Sequence, residues 1–169
     1  DMRFEEDERI LKREYVKVKP YDLFFDQVKQ IEEWTSKKCE EIVFDSTKDN
    51  WKKGTSTFDQ KVLGREKLVF VIEDTNNNVF GGYVNSKIDK YIWKEGDEWK
   101  GSHITDPNAF IFSLKSNGRL DGMMKFEIKK TNYGYDLRDK SDDYLIFFGF
   151  NSISLEKENR KSESFFKQY

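Results

Sequence analysis

KLVFVIEDTNNNVFGGYV, residues 67–84, decides the fold. Two apolar runs flank an acidic, asparagine-rich turn short enough for an antiparallel hairpin. Asn and Asp tolerate left-handed backbone angles, which suits Asp74 to Asn78 to a tight reversal. The first run, KLVFVIED, is apolar on both faces and reads as a central strand. The second carries Gly81-Gly82 where a strand prefers branched or aromatic residues, so the pair needs a reason. A phosphate cradle fails, because neither G-x-G-x-x-G nor G-x-x-x-x-G-K-[ST] occurs and the glycines lie inside a strand, away from a helix N-terminus. Half a calcium loop fails as well. Asp74, Asn76 and Asn78 repeat the opening oxygen ligands, but the sixth position is Val79 in place of glycine and the twelfth is Asn85 in place of glutamate. What remains is close approach of the strand to another backbone or to a large ring.

Outward from this hairpin, other short apolar runs predict more strands. EIVF, residues 41–44, NAFIFSLK, residues 108–115, and MKFEIKK, residues 124–130, are three. DYLIFFGFNSISLEKE, residues 143–158, supplies two more joined near Gly149 to Ser152, and ESFFKQY, residues 163–169, begins a last one. TSTFDQKVLG, residues 55–64, offers Ser56 or Thr57 as a helix cap and Gly64 as the stop. Before residue 42 the texture changes: this part is charge-dense, lacks glycine and has Pro20 as its one strong breaker. RFEEDERILKREYVKVK, residues 3–19, predicts a weakly amphipathic helix or an extended arm. YDLFFDQVKQIEEWTSKKCEE, residues 21–41, places Phe24, Val28, Ile31, Trp34 or Thr35, and Cys39 on one helical face, with lysines near the end where they suit the dipole. The fold expected is α+β: a β-rich, two-layer antiparallel sandwich, residues 42–169, flanked by helices and preceded by a helical segment, residues 1–41.

The apolar fraction is only 36%, but 15 Phe, 8 Tyr and 4 Trp concentrate buryable area in few side chains. A packed aromatic core follows. With 30 basic and 32 acidic residues and a formal charge of −2, no global field favours nucleic acid or an anionic membrane. Cys39 is the one cysteine, which rules out an internal disulfide or a cysteine zinc cluster and suits a reducing compartment, cytoplasmic or nuclear. No apolar run approaches bilayer length. The first residue is Asp1 and not Met, so the lack of a leader carries no weight.

Chemistry is hard to place on this chain. His103 is the only histidine and lies in the polar stretch KGSHITDPN, no G-x-S-x-G surrounds a serine, and Cys39 sits on the expected helix. Acidic pairs such as Asp142 and Asp143 arise freely among 32 acids, so their presence does not define an acid and a base. KYIWKEGDEWKG, residues 90–101, sets Trp93 and Trp99 among lysines, but Glu95, Asp97 and Glu98 cancel the field. Neither a cofactor nor a metal site is expected, and no catalytic residue is assigned.

The order of segments resembles the TLDc domain, the module also described as TBC and LysM associated. The residues that carry it are VFDSTKDNWKKGTSTFDQKVLG (43–64), LVFVIEDTNNNVFGGYVNSK (68–87), DPNAFIFSL (106–114), FFGFNSISL (147–155) and KSESFFKQY (161–169). The glycine-rich segment of the family is reduced here to FFGFNS, which marks a divergent or C-terminally shortened member. The resemblance implies a β-sandwich flanked by helices with no established catalytic centre. It also implies an intracellular, non-enzymatic interaction domain linked to oxidative-stress protection and, in several eukaryotic proteins, to binding the vacuolar proton-pumping ATPase and regulating its assembly. A partner surface is expected on Asp45, Ser46, Asp49, Trp51, Ser56, Thr57 and Asp59, since recognition favours loops on a rigid scaffold. The bland alternative is that Ser56 and Thr57 only cap a helix. Two other classes are weighed: an enzyme using converging carboxylates in a cleft between sandwich and helix, and a nucleic-acid-binding regulator with a lysine-lined face. The apolar stripe of the N-terminal helix is expected to pack on the domain that follows, with self-association through that helix as the alternative.

Overall fold

The computed structural model describes residues 17–18, 21, 23–89, 104–129, 134–149 and 152–158. The chain divides into two compact units, Asp1–Ile42 and Val43–Tyr169.

In the first unit β1 (Lys17–Val18) pairs antiparallel with β2 (Leu23–Phe24), which leads directly into α1 (Phe25–Thr35). Gln27 reaches back to accept the Phe24 N–H at 3.0 Å, which satisfies one of the donors a helix start leaves open. Val28 and Ile31, from the predicted stripe, are buried. The helix stops earlier than its periodicity suggests. The Thr35 hydroxyl bonds back to the Ile31 carbonyl at 2.8 Å and Ser36 turns left-handed with φ 55°, so Cys39 and the lysines at 37 and 38 fall outside it. Of the predicted arm, Lys17 and Val18 are extended, and the rest of it lies outside the described residues.

The second unit contains α2 (Phe58–Val62), a four-stranded antiparallel sheet and a three-stranded antiparallel sheet. The first sheet runs β3 (Leu68–Glu73), β4 (Val79–Val84), β5 (Phe110–Lys115), β6 (Met124–Glu127). The second runs β7 (Tyr135–Leu137), β8 (Tyr144–Phe148), β9 (Ile153–Glu156). The two-layer α+β architecture is therefore as expected. Phe58 and Val62 of α2, Phe70, Phe80 and Val84 of the first sheet, and Tyr135, Leu137, Ile146, Phe148 and Ile153 of the second form one buried cluster. Each such side chain contributes roughly 1.5–3 kcal/mol of gross hydrophobic stabilisation. The rings meet edge-on: Phe44 to Phe58 at 5.1 Å and Phe70 to Phe148 at 5.1 Å, the second pair joining the two sheets.

The opening hairpin forms in unbroken register from Leu68↔Val84 to Glu73↔Val79. Its turn is wired by Asp74, whose Oδ1 accepts the Asn76 and Asn78 N–H groups, both at 2.9 Å, while its Oδ2 accepts the Asn78 amide at 2.8 Å. The glycines answer to close packing. A Cβ on Gly82 would lie 2.7 Å from the Phe148 ring of the other sheet, and one on Gly81 would fall on the Phe70 carbonyl of the adjacent strand.

Three strand expectations are corrected. Among the described residues β3 is an edge strand and not a central one, and its outward Val71 is 41% exposed; apolar residues on both faces do not require cover on both. EIVF is not a strand, because Val43 and Phe44 pack on the core as irregular chain immediately before a turn at Asp45. β7 has no counterpart among the expected strands: Tyr-Asp-Leu between Gly134 and Arg138 is too short to show alternation, yet all three residues are buried. ESFFKQY, Trp93, Trp99 and His103 lie outside the described residues.

Candidate functional site

The segment from Asp45 to Asp59 is polar, and its polar groups are mostly spent on its own backbone. Asp45 begins an Asx turn, its Oδ1 accepting the Thr47 N–H at 2.9 Å and the Thr47 hydroxyl at 2.7 Å, while its carbonyl accepts the Lys48 and Asp49 N–H groups. Asp49 faces two ways: Oδ2 accepts the Asp45 N–H at 2.8 Å and Oδ1 accepts Lys61 Nζ of α2 at 2.6 Å. Asn50 accepts the Lys52 N–H through its side chain and the Thr57 N–H through its carbonyl, at 3.0 and 2.9 Å, and its amide donates to the Thr55 hydroxyl at 3.0 Å. Ser56 Oγ accepts the Phe58 N–H at 3.2 Å at the start of α2.

The seven residues expected at a partner surface therefore divide. Ser56 and Asp59 are buried at 2% and 4% exposure and face inward. Trp51 is half-buried and packs on the core cluster. Ser56 accepts the helix-start bond, whereas Thr57, at the cap position itself, makes no side-chain capping bond and donates instead to the Asn50 carbonyl at 3.4 Å. Asp45 and Asp49 act as staples. Only Ser46 of the set is exposed, alongside Thr47, Lys48, Lys52, Lys53 and Thr55, which carry no signal of their own in the sequence. The result is a rigid platform with a polar, lysine-bearing rim.

The staples have an electrostatic signature. The Thr47 hydroxyl bond, then the Thr47 N–H and Lys48, hold the Asp45 carboxyl below the usual carboxylate range. The Lys61 bond, then the Asp45 N–H, does the same for Asp49. A carboxyl whose pKa is lower folded than unfolded stabilises the fold fully above the ordinary value of about 3.9, and this contribution is lost as pH falls through the lowered folded value. Thermal unfolding followed between about pH 6 and pH 2 should give a flatter acid limb for Asp49→Asn than for the wild type. Parallel limbs would show that the Asp49–Lys61 contact contributes nothing.

Two neighbouring segments complete the platform. Gly54 N–H donates to the Lys140 carbonyl at 2.7 Å, Lys53 pairs with Asp143 at 2.7 Å, and the Glu158 N–H donates to the Trp51 carbonyl at 3.2 Å. The Asp142 and Asp143 carboxylates turn to different partners: Asp142 Oδ1 accepts the Tyr144 N–H at 2.8 Å, whereas Asp143 takes Lys53. Beneath them lies Lys157, 3% exposed, a residue the sequence shows only as one charge in SLEKE. Its ammonium donates to the carbonyls of Asp139 at 2.7 Å, Asp142 at 2.6 Å and Tyr144 at 2.7 Å. Burial pushes its pKa below the ordinary lysine value, against the pull of Asp142, Asp59, Asp139 and Asp143. A second buried anchor is Asp106, 1% exposed, which accepts the N–H groups of Asn85, Ser86 and Asn108. The Lys157 partners lie 13 to 18 residues away and Asn85 and Ser86 lie 21 and 20 from Asp106, so these contacts leave no local signal.

Elsewhere, burial and then Glu32 push the Cys39 thiol up, the opposite of what a nucleophilic cysteine needs. Among the described residues no group of three or more His, Cys, Asp or Glu is placed to hold a metal ion, and no helix is long and apolar enough to cross a membrane.

A two-layer antiparallel sandwich whose polar connections are tied down by their own side chains is a scaffold that presents loops. The chain belongs to the TLDc family: the TLDc domain matches residues 21–168, which takes in α1 as well as both sheets. No curated protein and no solved structure matches the chain.

Proposed function

We propose that this chain is a non-catalytic, intracellular protein-interaction domain that recognises its partner through the rim of the platform at residues 46–55. The observation that carries this is the platform itself: the backbone is held by side-chain bonds at Asp45, Asp49 and Asn50, while Ser46, Lys48 and Lys52 stand exposed upon it. Preorganised loops lose little freedom on binding, so their contacts convert efficiently into affinity. TLDc membership supports the vacuolar proton-pumping ATPase as the partner, oxidative-stress protection as the setting and the cytoplasm as the place.

Alanine at Trp51 or Asp49 would confuse recognition with folding, because one packs on the core and the other staples α2. The informative variant combines Ser46→Arg and Lys52→Glu on the exposed rim and leaves Lys48, which faces the Asp45 staple, in place. Against purified vacuolar ATPase it should bind at least about tenfold more weakly, roughly 1.4 kcal/mol, with its melting temperature unchanged. Undiminished binding would remove this surface, and a wild type that does not bind would remove the ATPase as partner.

A further inference from the structure

We propose that Lys157 is a built-in cation that fixes the shape of the platform, its ammonium gathering three carbonyls of loop 139–144 as a bound metal ion does in other loops. The inference rests on residues 46–55 being the partner surface, and it makes Lys157 a positioning residue for that surface.

Lysine is almost never fully buried unless its charge is compensated. Here the ammonium has three N–H donors and meets three carbonyl oxygens, all at 2.6–2.7 Å. The loop that wraps it is otherwise organised around its own donors: Asp139 Oδ1 accepts the Ser141 N–H at 2.8 Å, the Asp139 carbonyl accepts the Asp142 N–H at 3.2 Å, and Asp142 Oδ1 accepts the Tyr144 N–H at 2.8 Å. Donors are thus met within the loop, and inward carbonyls are met by Lys157. The same loop holds residues 53 and 54 through Asp143 and the Lys140 carbonyl. The strand end that carries Lys157 closes the ring, its own N–H donating to the Asp143 carbonyl at 2.9 Å and the next residue bridging in parallel to Lys52. Lys157 therefore joins the chain just after β9 to loop 139–144, and segment 51–54 is held to both by the Gly54–Lys140 and Glu158–Trp51 bonds and the Lys53–Asp143 pair. Arginine could not serve there, because its planar fork does not converge on three oxygens around a point.

The test uses the full chain. In Lys157→Met, amide hydrogen exchange at Gly54 and Glu158 should quicken at least about 100-fold more than at Phe112 in the first sheet, because local opening is released without equal global loss. Affinity for the ATPase should fall at least tenfold. In Lys157→Ala, ethylammonium should restore both readouts, whereas tetramethylammonium, which has no N–H donors, should not. Equal acceleration at Gly54 and Phe112 would reduce Lys157 to ordinary stability and overturn the inference. So would an opened Gly54 with unchanged affinity. A wild type that binds no ATPase sinks the functional proposal instead, and leaves the exchange result standing. Should the variants fail to fold, the wild type decides by NMR: couplings across hydrogen bonds from Lys157 Nζ to the carbonyl carbons of 139, 142 and 144 are expected, and their absence overturns the inference.

Discussion

Replacing Gly81 with alanine is expected to cost about 3 kcal/mol or more, at the upper end of what overpacking usually does. The added methyl group would fall on the Phe70 carbonyl oxygen, with the carbonyl carbon at 2.8 Å and the tip of the Phe112 ring at 3.0 Å. A side chain can swing away from such an intruder, but a paired strand cannot. Phe70 lies in the middle of the continuous β3–β4 register, so moving its carbonyl means opening the ladder on both sides. At roughly 2–4 °C per kcal/mol for a chain of this size, the melting temperature should drop by about 6–12 °C. Urea titration gives the check: the midpoint should fall with the slope unchanged. A midpoint within error of the wild type would mean that the strands are not this close.

Gly82 offers the contrast that separates backbone from side-chain crowding. The three atoms nearest its methyl would all belong to the Phe148 ring, at 2.7 to 3.0 Å. Gly82→Ala should therefore cost about 1–3 kcal/mol and be partly relieved by Phe148→Leu, with a coupling energy of about 0.5–3 kcal/mol in a double-mutant cycle. Strict additivity of the two changes would place the ring elsewhere.

These glycines also show what the sequence makes legible. A glycine pair inside an apolar run announces that something bulky comes near, although only coordinates reveal that Gly81 yields to a carbonyl and Gly82 to a ring from the opposite sheet. The hairpin, β5, and the β8–β9 pair were readable because their signals are local: alternation, a turn of Asp and Asn, a glycine at 149 with φ 55°. Strand order is not local. KLVFVIED is the same string at the centre of a sheet or at its edge, so placing β3 required knowing that no described strand pairs with it on the other side. The candidate surface failed in a related way. Asp45, Asp49, Ser56 and Asp59 are the residue types that recognise partners and also the types that tie turns and helix ends, and a sequence does not say which lone pairs are already occupied. Lys157 and Asp106 carry the same lesson inverted, since charges that look solvated are buried and fully used.

Asp106 supplies the other large effect. Its Oδ2 accepts the Asn85 and Ser86 N–H groups at 2.8 and 2.9 Å, its Oδ1 accepts the Asn108 N–H at 3.2 Å, and its carbonyl accepts the Ala109 N–H at 3.2 Å. Residues 85 and 86 leave the end of β4 while 108 and 109 enter β5, so one buried carboxylate clamps both ends of the connection between adjacent strands. Asp106→Ala removes the acceptor of three donors at once. Each buried donor left unsatisfied costs about 1–3 kcal/mol, and water will reach some of them, so a loss of about 3–5 kcal/mol is expected. Asp106→Asn is the finer probe. Its one amide oxygen can serve Asn85 and Ser86, but its NH₂ must then face the Asn108 N–H, and the charge-assisted strength of the bonds is gone. That variant should lose only about 1–2 kcal/mol, with exchange at Asn108 quickened more than at Ser86. If alanine and asparagine prove equally destabilising, the carboxylate oxygens are not what holds the clamp; if alanine costs nothing, the two strand ends are fixed by their ladder alone and Asp106 is merely enclosed by it.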